Sequence, residues 1–404
     1  MGHRTTAFTI LAALSALFAC ACSCDKIPSD NLPLDRTLIV YSAGFNSLSG
    51  YLRDDINELA GGTYIPGKGD KNALFVVNKS VKSSYKEQTS PYIIRLYTLK
   101  GAVVRDTVHT FPTGTVMADA STLQKALDFI NSNYPSSSCG MVVTSHATGW
   151  LPQDYYSNSG KYDTSADPYA ASPQSITQEN GDGVSYEIEL EDFAAAIPVK
   201  MDYILFDACL TGGVEVAYAL RDKAGRIGFS QAEVLSEGFN YSTMASHLLA
   251  GGADVRAVCE DYFNQYDNLT GIERSATISL VDCSKLDGLA KVCKELFEKY
   301  RDGLASVNPE SVQGYFRSGK HWFYDLEDIV AKAGATDEDL GRLGSAIDGC
   351  IIYKAATPSF MKPGNGFDIN TFCGLSMYLP ADGSAYLDNY YRTLSWNRAT
   401  GLVK

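Results

Sequence analysis

Histidine is scarce in this 404-residue chain, with five in all. None clusters with cysteine, and no Cys-x-x-Cys pair follows Cys24. A structural zinc site needs such grouping, so the sequence argues against one. Positive charge is also short: 34 basic residues face 47 acidic ones, for a net charge of −13. No Lys/Arg stripe with interleaved aromatics is present, which argues against a nucleic-acid partner. Beyond the N-terminus no apolar run approaches the roughly 18 residues of a membrane helix. The Gly-x-Ser-x-Gly elbow of serine hydrolases is missing, and so is EF-hand spacing. Acidic stretches at 179–182 and 187–192 could offer oxygens to calcium, but they read better as solvated carboxylates. No metal and no cofactor is expected. Internal repeats are absent.

What the sequence does have begins with a leader. Arg4 supplies a positive start, and residues 7–19 are apolar apart from Thr9 and Ser15. That length fits a signal-peptide core better than a membrane span. Residues 1–19 are read as the signal. Leu17, Phe18 and Ala19 before Cys20 resemble a bacterial lipobox, with Cys20 as the lipidated residue and Cys22 or Cys24 as alternatives. A plain secretory signal is the other reading. Residues 20–35 make a polar, Pro-containing tether. The expected location is exported and lipid-anchored, touching the membrane through that lipid alone. The rest, with 45% hydrophobic and 20% charged residues, has the make-up of a soluble globular protein. It carries Cys139, Cys209, Cys259, Cys283, Cys293, Cys350 and Cys373. An odd number leaves one thiol free even if all the others pair.

From Arg36 onward short β-branched runs alternate with helical segments. Residues 38–41, 73–77, 92–99, 140–144, 203–206, 226–229 and 277–281 read as strands. Residues 48–59, 122–134, 192–197, 214–220 and 255–266 read as helices, the second capped by Ser121. This alternation predicts a mostly parallel sheet with helices on both faces. Apolar pairs such as Val142–Val143 and Ile204–Leu205 fit central strands buried on both sides. Residues 150–184 have no clear period and form a long loop, which points to function or processing. From Lys285 the text turns helical at 286–300, 325–333 and 340–353, with 374–379 as one returning strand. The expected division is an α/β domain over 36–284 and a mainly helical subdomain over 285–404, packed on the sheet.

The strongest local signal is the segment 202–220. A strand ends at Phe206, Asp207-Ala208-Cys209 makes a turn, and a helix is expected to start near 210–212. The thiol then lies outside a strand's carboxyl end, where open α/β sheets bind ligands. It would also sit at a helix N-terminus, where free N–H groups favour a thiolate or an oxyanion. A second strand ends at Thr144 or Ser145, with His146 on its exit loop. If the two strands are parallel neighbours, His146 can shuttle the proton of Cys209.

The Ser-His block at 141–150 and the Asp-Ala-Cys-Leu block at 207–210, with a long loop between them, resemble the clostripain family of cysteine peptidases. That family belongs to the caspase–legumain–gingipain superfamily. A looser likeness covers most of 38–380. The resemblance implies a caspase-like α/β/α sandwich, and cleavage of peptide or protein substrates after Arg or Lys by a Cys209–His146 dyad. It implies an oxyanion hole from the backbone N–H groups of Ala147 and Cys209. The family's usual His-Gly is His146-Ala147 here; alanine keeps the N–H but is disfavoured if the position needs positive φ. Asp207 is the candidate reader of a basic side chain, with helix capping as its other role. Ser230, Gln231 and Glu233, from the segment after the next strand, are secondary candidates. Self-cleavage in the loop is expected after Lys161. The chain is expected to act as a monomer. The rival reading is a surface binding lipoprotein that keeps a degenerate peptidase fold.

Overall fold

The computed structural model describes residues 33–404, except 83, 85, 154, 156–174, 182–183 and 318–321. The leader, the lipobox cysteines and Lys161 lie outside the described residues. Pro33–Lys404 forms one compact unit. Its centre is a nine-stranded sheet. The strands are β1 (Leu34–Ser42), β2 (Asn72–Asn78), β3 (Tyr92–Leu99), β4 (Ala102–Thr110), β5 (Ser136–Thr144), β6 (Met201–Asp207), β7 (Ala224–Phe229), β8 (Thr277–Asp282) and β9 (Ile351–Ala356). Their order across the sheet is β9-β8-β7-β6-β5-β1-β2-β3-β4. The run from β7 to β2 is parallel. Both flanks are antiparallel.

The apolar runs are continuous because the central strands feed two cores. In β1, Ile39 and Tyr41 enter one core while Leu38 and Val40 enter the other. Helices α1 (Ser49–Ala60), α5 (Tyr241–Leu249) and α6 (Val255–Asp267) cover the second core. Helices α2 (Ala120–Asn133), α3 (Leu190–Ala196), α4 (Val214–Ala219) and α7 (Leu286–Lys299) cover the first. Parallel strands joined by crossover helices are buried on both faces for this reason.

Several sequence expectations shift. The cap of α2 is Asp119, which accepts from the Thr122 N–H, while Ser121 hydrogen-bonds to Asp119 instead. The helix expected to run to Tyr353 stops at Cys350, and β9 begins there as an antiparallel edge strand. Ile351, Ile352 and Tyr353 alternate in burial, and β-branched and aromatic residues favour such a half-covered strand. The segment 285–404 therefore contributes a strand to the sheet as well as helices. The return at 374–379 holds only a two-residue strand, Ser376–Met377, paired with Tyr324–Asp325. The end of the long loop carries a hairpin, Gln178–Gly181 with Val184–Glu187. No helix among the described residues is long and apolar enough to cross a membrane.

Candidate active site

Strands β5 and β6 are parallel neighbours, with Thr144 opposite Asp207. His146 and Cys209 therefore occupy equivalent places on adjoining exit loops. The loops also meet directly. Gly149 has a φ of 59°, and a methyl added there would lie 2.3 Å from the Leu210 carbonyl oxygen. Only glycine permits both that conformation and that approach. Leu210 itself has a φ of 59°. Left-handed backbone at a non-glycine residue is uncommon and collects at functional turns. Its N–H is tied to Ala232 O at 2.9 Å, which holds the turn against the segment after β7.

Cys209 is partly buried. The Val234 N–H donates to its Sγ at 3.3 Å, and the thiol faces the Val234 carbonyl at 3.7 Å. The expected helix start is displaced: α4 begins only at Val214 and is six residues long. The thiol is therefore not at a helix N-terminus. Burial first, and then the nearby Glu233 charge, push it up to about 12, with the Val234 N–H opposing. Burial also lowers the His146 imidazole to about 4. At neutral pH the Cys209 thiol and the His146 imidazole are each neutral. Sequence reasoning missed Ser47, whose Oγ lies 2.8 Å from His146 Nε2. It leaves Nδ1 as the ring nitrogen open to a second partner. Ser47→Ala is expected to lower kcat about tenfold with little change in KM, because the ring loses its orienting contact. Equal kcat in the two proteins would remove that role.

Neither the Ala147 nor the Cys209 N–H donates a hydrogen bond among the described residues. Two free amides at the loop exits are what an oxyanion requires. Ala147 does not lie at positive φ, so its side chain carries no penalty; the left-handed positions are Gly149 and Leu210.

Asp207 is only 6% exposed, yet no Lys or Arg pairs with it among the described residues. Its carboxylate accepts from Tyr241 Oη at 2.9 Å and the Phe239 N–H at 3.3 Å. It does not cap α4, whose N-cap Gly213 has no side-chain bond. Gly238 closes over it: a methyl there would sit 2.4 Å from Asp207 Oδ2. Burial lifts Asp207 to about 6 despite those two donors. Asp55 of α1 is 7% exposed and is raised to about 8, by burial and then by the charge of Asp207. Two of the secondary candidates are corrected. Ser230 and Gln231 are 0% exposed. Ser230 bonds Thr277, and Gln231 bonds Gly374 O and Ser279, so both tie the segment after β7 to β8 and the 374 turn and offer no surface. Glu233 does reach the neighbourhood of the thiol.

The clostripain family model matches residues 40–400. This chain belongs to the clostripain family. Clostripain of Hathewaya histolytica is 25% identical over 236 residues, which cover 54% of this chain and 42% of that protein. The chain thus spans less than half of that relative's length. An inactive zymogen C11 protease from Parabacteroides distasonis superposes with a TM-score of 0.75 at 28% identity, covering 91% of this chain and 99% of that one. A secreted C11 cysteine protease from Bacteroides thetaiotaomicron, solved with an irreversible peptide inhibitor, gives 0.74 at 25% identity, with the same coverage. The caspase-like sandwich expected from the sequence is the fold these proteins share.

In this clostripain-family chain three carboxylates of the acidic stretches, Glu179, Glu189 and Glu191, have protein partners. Glu179 meets Lys79 and the Met117 N–H, with side chains 1% and 0% exposed for the ion pair. Glu189 takes Tyr390 Oη and the Gln153 N–H. Glu191 takes the Ser395 N–H at 2.6 Å. The Lys79–Glu179 pair pins the chain after the long loop to the sheet, beside Asn46 and Ser145, which bond Gln178. Lys79→Met is expected to cost about 3–5 kcal/mol, because it strands a buried carboxylate. Urea unfolding checks this, and Lys79→Met with Glu179→Leu should restore most of the loss. A single variant as stable as the parent would refute it.

Proposed function

We propose that the chain is a cysteine endopeptidase that cleaves after Arg or Lys, with Cys209 as nucleophile and His146 as acid and base. The contact of the two exit loops at Gly149 and Leu210 supports this reading most directly, since those same two loops carry His146 and Cys209. Sγ attacks the scissile carbonyl while His146 takes the thiol proton. The amides of Ala147 and Cys209 receive the oxyanion. The C–N bond then breaks as His146 hydronates the leaving amine, which leaves a thioester on Cys209. Water attacks that thioester, His146 accepts its proton, and the proton returns to the thiol as the acid product departs. Acyl transfer of this kind needs no metal or cofactor. The peptide inhibitor carried by the Bacteroides thetaiotaomicron relative supports a peptide substrate.

The basic preference rests on Asp207 and Asp55, two buried carboxyls without a cationic partner among the described residues. A guanidinium or ammonium group would relieve that deficit. Digestion of an unfolded protein, followed by sequencing of product C-termini, tests the reading. Termini at Arg and Lys are expected, and termini scattered over neutral residues would defeat it. We extend the proposal to self-cleavage after Lys161, which an intact chain in fully active material would sink. Lipid on Cys20 completes it: labelling with fatty acid should vanish in Cys20→Ala and persist in Cys22→Ala. A binding lipoprotein with a degenerate site is the weaker reading, because thiol, imidazole and free amides are all retained.

A further inference from the structure

Arg317 reaches the active site from a distant part of the chain. Its Nη2 donates to Glu233 Oε1 at 2.7 Å and its Nε donates to Oε2, so the guanidinium takes both carboxylate oxygens. Nη1 lies 3.4 Å from Asn365 Oδ1. Such two-point contacts are how a carboxylate recognises arginine. Glu233 precedes Val234, whose backbone brackets the nucleophilic sulfur. The pair stays in reach of solvent, with side chains 28% and 22% exposed. Tyr315 anchors the approach, packing with Ala232 and Phe360 and donating to Asp325 Oδ2 at 2.7 Å. Glu233 is also separate from the Asp207 environment, whose donors are Tyr241 and Phe239.

We propose that Glu233 is a second cation subsite beside the nucleophile, and that Arg317 fills it until a basic side chain of the substrate takes its place. The proposal rests on the endopeptidase reading for the word substrate, but its geometry is independent of catalysis. A buried structural ion pair would be sealed from water and would have no reason to border the thiol. A partly exposed pair at that position competes with a cationic ligand, because Arg317 already occupies the two-point face of the Glu233 carboxylate. The enzyme would then favour peptides with a second basic residue near the scissile bond, at the expense of displacing its own arginine.

The test is calorimetric, on the full chain carrying Cys209→Ala so that nothing is cut. The probes are the amides of acetyl-Arg-Arg and acetyl-Ala-Arg. In the Cys209→Ala protein the two should bind with similar affinity. Adding Arg317→Ala should tighten the Arg-Arg probe at least about fivefold, the scale of a charge-assisted contact in a half-screened site, and leave the Ala-Arg probe within about twofold. Glu233→Gln on top should erase the gain. Arg317→Gln must reproduce the Arg317→Ala result, which guards against a folding defect. Equal changes for both probes, a gain that survives Glu233→Gln, or no binding of either probe would overturn the proposal. If the probes bind as expected but the unaltered chain cuts no peptide, the endopeptidase reading fails and the subsite stands.

Discussion

Cys209→Ala is expected to reduce peptide hydrolysis by at least about three orders of magnitude, with the fold unchanged. The side chain is small, and its only hydrogen-bonding partner among the described residues is the Val234 backbone. His146→Ala should cost a similar factor, because the proposed reaction loses the group that takes the thiol proton and returns it to the leaving amine. The resting pair makes a sharper prediction. With the thiol raised to about 12 and the imidazole lowered to about 4, Cys209 is protonated and His146 neutral across the neutral range. A raised thiol holds less thiolate at any given pH. Alkylation of the free protein by iodoacetamide should therefore be slow at pH 7 and still be climbing at pH 9. A plateau reached near pH 7 would mean that the free enzyme already carries a thiolate–imidazolium pair. In kcat/KM, the limb belonging to His146 should lie near pH 4, since a lowered imidazole stays neutral, and so able to accept a proton, down to that value.

Asp207→Asn should have the second large effect, a fall of about two orders of magnitude or more in kcat/KM on Arg and Lys substrates. The scale is that of removing one partner from a buried charge contact. The loss should fall mainly on KM. It also has a pH signature. Asp207 titrates at about 6, so it is anionic above that pH and neutral below it. Attraction for a cationic side chain is present above about 6 and fades as the pH falls through it. The unaltered enzyme should show that limb, and Asp207→Asn should lack it while keeping the lower limb of His146. Selectivity for Arg and Lys retained in Asp207→Asn would move the reading of the cation elsewhere. Asp55, raised to about 8, holds a proton at neutral pH in the empty site. A bound cation would favour releasing that proton, so binding at pH 7 should be accompanied by proton release measurable in buffers of different ionisation enthalpy.

The sequence made the sheet legible because its central strands are apolar on both faces, and Val142–Val143 and Ile204–Leu205 recur within an alternation of strands and helices that a doubly covered parallel sheet accommodates. It located His146 and Cys209 because strand exits leave local marks. It misjudged the helix after Cys209, since Gly212 and Gly213 delay α4 until Val214. With that delay went the expected dipole support for the thiolate. Ser230 and Gln231 looked like pocket residues because a polar pair after a strand reads the same whether it meets solvent or a neighbouring strand. Ser47 and Arg317 were invisible for another reason. Each acts 84 or more positions away from its partner, Arg317 on Glu233 and Ser47 on His146, and no local period encodes such a contact. Gly149 could have been singled out beside His146, but its reason for being glycine lies in Leu210, on a different strand's exit.

All seven cysteines from Cys139 to Cys373 are free thiols, and only Cys209 is not fully buried. Among the described residues the one thiol open to reagents is thus the proposed nucleophile. A maleimide dye added to the native protein should enter this body at a single position, with no cysteine removed by mutation. Strong reductant can be kept in every assay, because no cross-link in this body is there to be broken. If the chain is exported as proposed, folding from Pro33 onward asks nothing of disulfide-forming machinery, and among these seven cysteines the thiol open to oxidation is the proposed nucleophile.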